Sequence, residues 1–188
     1  MTFNKEVFND WEKSLSFIEP SNHYIFSYPE LIQATDCLAK NFGEKSIPMV
    51  AHLVYGWMPK ILTYSRKINQ DREIFQATLA NNQNEALSVV DKIQFPPTNN
   101  AWVGMSKTLH FLNPDMFPIW DSKVAKVLGV SPTKMGKKDV YIDYMKFIFS
   151  NIDQHFVGVV RREFKNKTNY DISKVRAVEF TLFVIGEN

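Results

Sequence analysis

The feature that most constrains the fold is the spacing of the apolar residues, which recur every three or four positions between isolated prolines. Such spacing places the apolar side chains on one face of an α-helix. Only seven of the 188 residues are glycine, which argues against a loop-rich or all-β fold. Strand-like alternation is confined to 157–160 and 180–185, and both pieces sit inside helical patterns. The sequence therefore predicts an all-α helical bundle with short, proline-marked loops.

The same pattern predicts where the individual helices lie. Gly43 is expected to end the second helix, and Pro59 is expected to kink or split the third. One helical domain over 1–188 is expected for a chain of this length. The helices are expected at about 7–18, 31–42, 47–68, 74–79, 86–93, 101–112, 121–128, 141–159 and 172–185.

Cysteine and charge content limit the compartment and the ligands. Cys37 is the only cysteine, so no internal disulfide can form, which is typical of a reducing compartment. The first residues have no apolar core of a signal peptide, and no apolar run approaches the roughly 18 residues of a membrane span. We therefore expect a cytoplasmic chain with no membrane segment. The four histidines show no metal-ligand spacing, so no metal site and no cofactor are expected.

Net charge gives little information about partners. The formal charge is only +2, although residues 121–188 carry an excess of basic residues. That basic excess fits contact with a polyanion such as nucleic acid. On charge alone, an ordinary solvated surface of mixed charge is the favoured alternative.

The helix expected over 101–112 places a lysine in unusual surroundings. Lys107 shares its face of the helix with Val103, His110 and Phe111 rather than with polar residues. An amine beside apolar groups loses solvation, which lowers its pKa and makes it a candidate nucleophile. Alternatively, Lys107 extends from the edge of a packed helix into water.

A carboxylate follows shortly after this helix. Asp121 comes directly after Trp120 and precedes an expected helix, a position in which aspartate caps the free backbone N–H groups. A capping carboxylate is rigidly held, so Asp121 could also stabilise positive charge that develops on a substrate.

Two short stretches of this region carry a family resemblance. They read Val103-Gly-Met-Ser-Lys-Thr-Leu109 and Pro118-Ile-Trp-Asp-Ser-Lys-Val124. They resemble the helix-hairpin-helix DNA glycosylases, in particular the 8-oxoguanine DNA glycosylase fold, in which a Val-Gly-x-Lys-Thr-Ala-like sequence precedes an Asp-Thr-His-Val-like sequence. The longer stretch 106–122 is similar to bacterial proteins grouped as 8-oxoguanine-glycosylase-fold proteins, some of which are placed among anti-phage functions.

The resemblance implies a fold, a reaction and a partner. The fold would be all-helical and two-lobed, with a site around 101–128 and a base flipped out of duplex DNA into the cleft. Lys107 would be the nucleophile of a base-excision DNA glycosylase with abasic-site lyase activity, and Asp121 the essential aspartate. The base would be 8-oxoguanine or a phage-type modified base, in DNA repair or defence, and a monomer is expected. A protein of another class, a non-catalytic nucleic-acid or protein-binding module with the same fold, is the alternative.

Further residues are candidates for contacts with such a substrate. His110 lies one turn beyond Lys107 and either contacts the base or is a core histidine. The tryptophans Trp57, Trp102 and Trp120 are expected either to stack on a flipped base or to pack in the core. The candidates for contacts with DNA phosphates, each alternatively an ordinary structural or surface residue, are Gly104, Ser106, Lys123, Arg161, Arg162 and Lys165.

Overall fold

The computed structural model describes residues 2–19, 21–58, 60–65 and 70–187. The predicted all-α class is confirmed, because over these residues the only β pairing is an isolated bridge between Tyr64 and Thr98. Short 3-10 helices at Lys5–Asp10, Gly43–Lys45 and Pro132–Lys134 supplement the α-helices. The α-helices are α1 (Lys13–Phe17), α2 (His23–Phe42), α3 (Ser46–Trp57), α4 (Gln70–Ala77), α5 (Gln83–Lys92), α6 (Ala101–Leu112), α7 (Ser122–Val127), α8 (Lys138–Phe149), α9 (His155–Thr168) and α10 (Lys174–Glu187).

The predicted first helix and the predicted start of the second helix are wrong, whereas the second helix ends at Phe42 with Gly43 as its C-cap, as predicted. A 3-10 helix and the short α1 replace one continuous helix over 7–18. Helix α2 begins at His23, because the Asn22 side chain caps it by accepting a hydrogen bond from the Tyr24 N–H. Pro29 therefore lies inside α2, where burial of Ile25 and Tyr28 before the proline and of Thr35 after it offsets the hydrogen bond that the proline cannot donate.

The third helix and the long helix near the carboxyl terminus also differ from the prediction. Helix α3 ends at Trp57, eleven residues before the predicted end, and the expected kink at Pro59 lies outside the described residues. The helix predicted over 141–159 is two helices, α8 and α9, separated by a turn. In that turn the buried Asn151 amide donates to the Phe147 carbonyl at 2.7 Å, which helps to end α8.

Helix α10 lies at the centre of the bundle. Eight consecutive residues, 175–182, are buried, so the helix is covered on nearly all sides. Helices α1, α7, α8 and α9 all contact it. Helix α6 packs on α2 and α3 beside this arrangement. None of the described helices is long and apolar enough to cross a membrane.

A glycine allows α6 to approach α3 closely. A Cβ atom at Gly104 would lie 2.7 Å from Thr98 Oγ1 and 2.9 Å from Tyr55 Cζ, distances that real Cβ atoms do not show. The Tyr55 ring is 1 % exposed and its hydroxyl is buried, so the ring has little room to move away. Gly56 on α3 differs, since a Cβ there would meet nothing within 4 Å.

We predict opposite effects for alanine at these two glycines. Gly104→Ala is expected to lower the free energy of unfolding by about 1–3 kcal/mol, because the added methyl group overpacks the α3–α6 contact. Gly56→Ala is the matched control, and it should raise the free energy by about 0.5–1 kcal/mol through better helix propensity. Urea denaturation of both variants measures this, and a neutral Gly104→Ala variant would contradict the packing described.

Candidate active site

A cavity of about 260 Å³ opens between α2, α3, α6, α7 and α10. Lys107 and Asp121, which the sequence singled out, both line it. Arg176 and Glu179 from the central helix α10 complete its polar wall. The apolar wall includes Phe17, Tyr24, Trp57, Met58, Phe180 and Phe183.

Lys107 projects from the middle of α6 and remains partly accessible through the cavity. Its Nζ lies 2.7 Å from Met58 Sδ, a weak acceptor, and no carboxylate oxygen of the described residues lies within 4 Å of it. Burial lowers the pKa of this amine, while the negative charges of Asp121 and Glu179 oppose that effect. The surroundings therefore favour a neutral amine more than water does.

The two carboxylate oxygens of Asp121 differ in their contacts. Oδ1 accepts hydrogen bonds from the N–H groups of Lys123 and Val124, both at 3.0 Å, and so caps α7. Oδ2 makes no hydrogen bond to any described residue, and the half-buried side chain lines the cavity. One oxygen thus fixes the carboxylate, and the other is left for the cavity.

The loop before Asp121 is buried, and side chains satisfy its backbone carbonyls one after another. Residues 117–120 are all buried, so each carbonyl needs a protein partner. The Phe117 carbonyl accepts from His110 Nδ1 at 2.7 Å, and the Ser106 hydroxyl accepts from the Trp120 N–H at 3.0 Å. The Pro118 and Ile119 carbonyls accept from the hydroxyls of Tyr141 and Tyr144, at 3.1 and 2.8 Å.

His110 is part of this support and does not line the cavity. Since the Phe117 carbonyl can only accept, Nδ1 carries the proton, and Nε2 accepts from the Tyr28 hydroxyl at 2.7 Å. Burial lowers the pKa of His110 to about 3, so the ring is neutral at physiological pH. The expected contact between His110 and a substrate therefore does not fit this position.

The three candidate tryptophans are separated in the structure. Trp57 lines the cavity, with its Nε1 donating to Ser27 Oγ at 3.0 Å. Trp102 is buried and stacks on Tyr141 at 5.4 Å between ring centroids, whereas Trp120 is buried with its Nε1 donating to the Met135 carbonyl. For Trp102 and Trp120 the structure corresponds to the core-packing alternative.

Two of the candidate phosphate contacts are buried inside α6. Gly104 packs against Tyr55, and Ser106 has no exposed surface and bonds to the backbone at Trp120. Neither faces a surface that a phosphate reaches. The reason is that the helix already begins at Ala101, so this stretch is helix interior and not an open hairpin turn.

The basic candidates have different partners. Lys123 lines the cavity, but its amine pairs with Glu187 and lies 4.6 Å from the centroid of the Phe183 ring. Arg161 pairs with Asp171 at 2.8 Å. Arg162 and Lys165 are exposed on α9, which contributes no residue to the cavity wall.

Arg176 and Glu179 are cavity residues that the sequence analysis did not single out. They form an ion pair on α10 through Glu179 Oε2, with 5 and 1 % of their surfaces exposed, and Glu179 Oε1 has no hydrogen-bond partner. Burial raises the pKa of Glu179 to about 7, against the opposing charge of Arg176. The signal in the sequence was two opposite charges three positions apart in an otherwise apolar helix.

Comparisons with protein-family models, with curated proteins and with solved structures found no match to this chain. Among the described residues, no group of three or more His, Cys, Asp or Glu side chains is placed to hold a metal ion. The arrangement of Lys107, Asp121, Arg176 and Glu179 must therefore be interpreted from its own chemistry. It offers an amine of lowered pKa beside carboxylates in a largely apolar cavity.

We predict an acid-dependent loss of stability that depends on His110. Because its pKa is depressed in the native state, unfolding takes up a proton as the pH falls below about 6.5, and stability decreases down to about pH 3. The contribution of this one group reaches about 1.4 kcal/mol per pH unit. Urea denaturation at several pH values should show a shallower acid dependence for His110→Gln, which is neutral at every pH.

The matched control for this prediction is His155→Gln. His155 is exposed at the start of α9, so its replacement should leave the acid dependence unchanged. Equal acid dependence of the wild type and His110→Gln would mean that His110 binds a proton in the native state.

Proposed function

We propose that this protein is a DNA glycosylase with abasic-site lyase activity, in which Lys107 is the nucleophile. The observation that supports the proposal most directly is that Lys107 and Asp121, from separate helices, line one cavity. The sequence resemblance to helix-hairpin-helix glycosylases pairs these same two residues. The proposal extends the general chemistry of the site to a specific substrate, a flipped nucleotide of duplex DNA.

Lys107 would act as a neutral amine. Its lone pair attacks the sugar carbon C1′ of the flipped nucleotide, and the bond from C1′ to the base breaks, so that the base leaves with the bonding electrons. The nitrogen then loses one proton, which the departed base takes up. The C1′–O4′ bond breaks and O4′ is protonated, which leaves a protonated Schiff base between Lys107 and the opened sugar, and this Schiff base can cleave the strand by β-elimination. The lowered pKa of Lys107 supports this role, because only the unprotonated amine is nucleophilic.

Asp121 would stabilise the positive charge that develops on the sugar as the base departs. Its cap of α7 holds the carboxylate in place before the substrate binds, so no reorganisation is needed during the reaction. Oδ2, which has no partner among the described residues, is the oxygen available for this purpose. The same carboxylate can orient an attacking water if the lysine is not the nucleophile.

The size and walls of the cavity suit a single nucleobase. Its volume of about 260 Å³ is slightly below the ~300–1,000 Å³ of pockets for drug-sized ligands. Aromatic rings of Tyr24, Trp57 and Phe180 line it and offer surfaces against which a planar base packs. The candidate bases are 8-oxoguanine, uracil and a phage-type modified base.

A binding module without catalysis is the second candidate. The specific observation in its favour is that Lys123 and Arg161 are engaged in ion pairs and that Gly104 and Ser106 are buried. Fewer of the candidate phosphate contacts are thus available than the sequence analysis predicts. Such a module would use the exposed Arg162 and Lys165 on α9.

We predict that borohydride traps a covalent complex between the wild-type protein and a duplex oligonucleotide. The panel would contain 8-oxoguanine, uracil, glucosylated 5-hydroxymethylcytosine or an abasic site. Lys107→Gln should lose the adduct entirely, because the amide cannot form a Schiff base. Asp121→Asn should reduce the rate by about 10²–10³-fold through the lost charge, while asparagine preserves the cap of α7.

The matched control for the trapping experiment is Lys126→Gln. Lys126 is an exposed lysine of α7 that does not line the cavity, so its loss should leave trapping unchanged. Release of free base without an adduct would favour attack by a water positioned by Asp121. DNA binding with neither adduct nor released base would favour the binding module and contradict the glycosylase proposal.

A further inference from the structure

Two polar atoms of the cavity wall lack a strong partner, the partly accessible amine of Lys107 and a buried carboxylate oxygen of Glu179. Lys107 Nζ is a donor whose single hydrogen-bond partner among the described residues is the sulfur of Met58. Glu179 Oε1 is an acceptor, buried, with no hydrogen-bond partner. Leaving a buried polar group without a partner costs free energy.

The two groups are held in place from different elements. Lys107 extends from α6, and Glu179 extends from the central helix α10. Arg176 donates to Glu179 Oε2, and its guanidinium carbon lies 4.7 Å from the centroid of the Tyr28 ring. These contacts hold the carboxylate in place and leave Oε1 without a hydrogen-bond partner. Both side chains line the one cavity.

We propose that Glu179 is a positioning residue that sets the pH range in which Lys107 is a free amine. When Glu179 is ionised, its negative charge stabilises the Lys107 ammonium. When Glu179 takes up a proton, that stabilisation is lost, and the amine gives up its own proton more readily. The titrations of Lys107 and Glu179 are thus coupled.

The directions of the two pKa values agree with this geometry. Burial lowers the pKa of Lys107 and raises that of Glu179 to about 7, so the proton affinities of the two groups move toward each other. The Glu179 charge raises the pKa of Lys107, and the Lys107 charge lowers that of Glu179. Each group therefore responds to the ionisation of the other.

Other charged and titratable groups surround the pair and act on it. The positive charges of Lys60 and Arg176 lower the pKa of Lys107, and the negative charge of Asp121 raises it. Asp121 also raises the pKa of Glu179, while Arg176 lowers it. The remaining titratable groups beside the pair are Tyr24 and Lys123 in the cavity wall, Tyr28 from α2, and Tyr141 and Tyr144 from α8.

This inference rests on the role of Lys107 in the proposed function, but its test needs no DNA. The probe is formaldehyde with cyanoborohydride, which methylates neutral amines, and peptide mass spectrometry follows the rate at Lys107 as a function of pH. Glu179→Gln keeps the shape and an acceptor for Arg176 but removes the negative charge. We expect the acid limb of the Lys107 rate profile to move to lower pH by about one unit, which makes methylation in that limb about tenfold faster.

The matched control is Glu163→Gln, which removes a carboxylate that pairs with Lys167 on α9 and lies outside the cavity wall. Its Lys107 profile should coincide with that of the wild type. An unchanged profile in Glu179→Gln, or an equal shift in both variants, would overturn the proposal. A failure of the DNA trapping experiment would leave this result unaffected, so the two hypotheses fail separately.

A second measurement uses the wild-type protein alone, in case Glu179→Gln does not fold. The ¹³C resonance of the methylated Lys107 amine should show two inflections with pH. One belongs to the amine itself, and the other, near pH 7, belongs to the ionisation of Glu179. A single inflection would mean that the two groups titrate independently and would overturn the proposal.

Discussion

The geometry of the cavity depends on a buried loop whose backbone carbonyls are satisfied by side chains. Residues 117–120 form no regular secondary structure and are buried, so their backbone groups need hydrogen-bond partners from the protein instead of from bulk water. His110, Tyr141 and Tyr144 donate to three successive carbonyls, so α6 and α8 hold this loop together. Asp121 follows the loop directly, and its place in the cavity wall is a consequence of these hydrogen bonds.

The central helix α10 is almost completely buried, yet it contains the two buried charges of Arg176 and Glu179. Removing Arg176 and Glu179 from water is costly, and their mutual attraction offsets only part of that cost. Buried ion pairs are therefore weak evidence for stability. Both side chains lie in the wall of the cavity that Lys107 and Asp121 also line.

Local sequence signals were sufficient where local interactions decide the structure. The bounds of α6 and the cap of α7 by Asp121 agree with the prediction, because apolar spacing and a capping carboxylate act within one turn. The break between α8 and α9 depends on the Asn151 side chain and on packing against α10, so a continuous apolar pattern concealed it. The start of α2 was missed because the sequence pattern places a boundary at Pro29, whereas the cap by Asn22 starts the helix at His23.

The composition of the cavity wall could not be predicted in the same way. Trp102 and Trp120 flank Lys107 and Asp121 in sequence, but both side chains turn into the core, because helix phase and the buried loop fix their directions. Trp57 reaches the cavity from α3, a distant part of the sequence. Sequence proximity to a candidate residue is thus a poor guide to which aromatic rings face the site.

The pKa of the Lys107 amine is likewise a property of the assembled fold. Helix α6 supplies Lys107, but the groups that move its pKa come from the loop after α3, the cap of α7 and helix α10. Lys60 and Arg176 act in one direction, and Asp121 and Glu179 act in the other, so small rearrangements of these elements change the balance. A lysine with apolar neighbours on its own helix indicates a candidate, whereas the opposing charges that tune it meet only after the chain has folded.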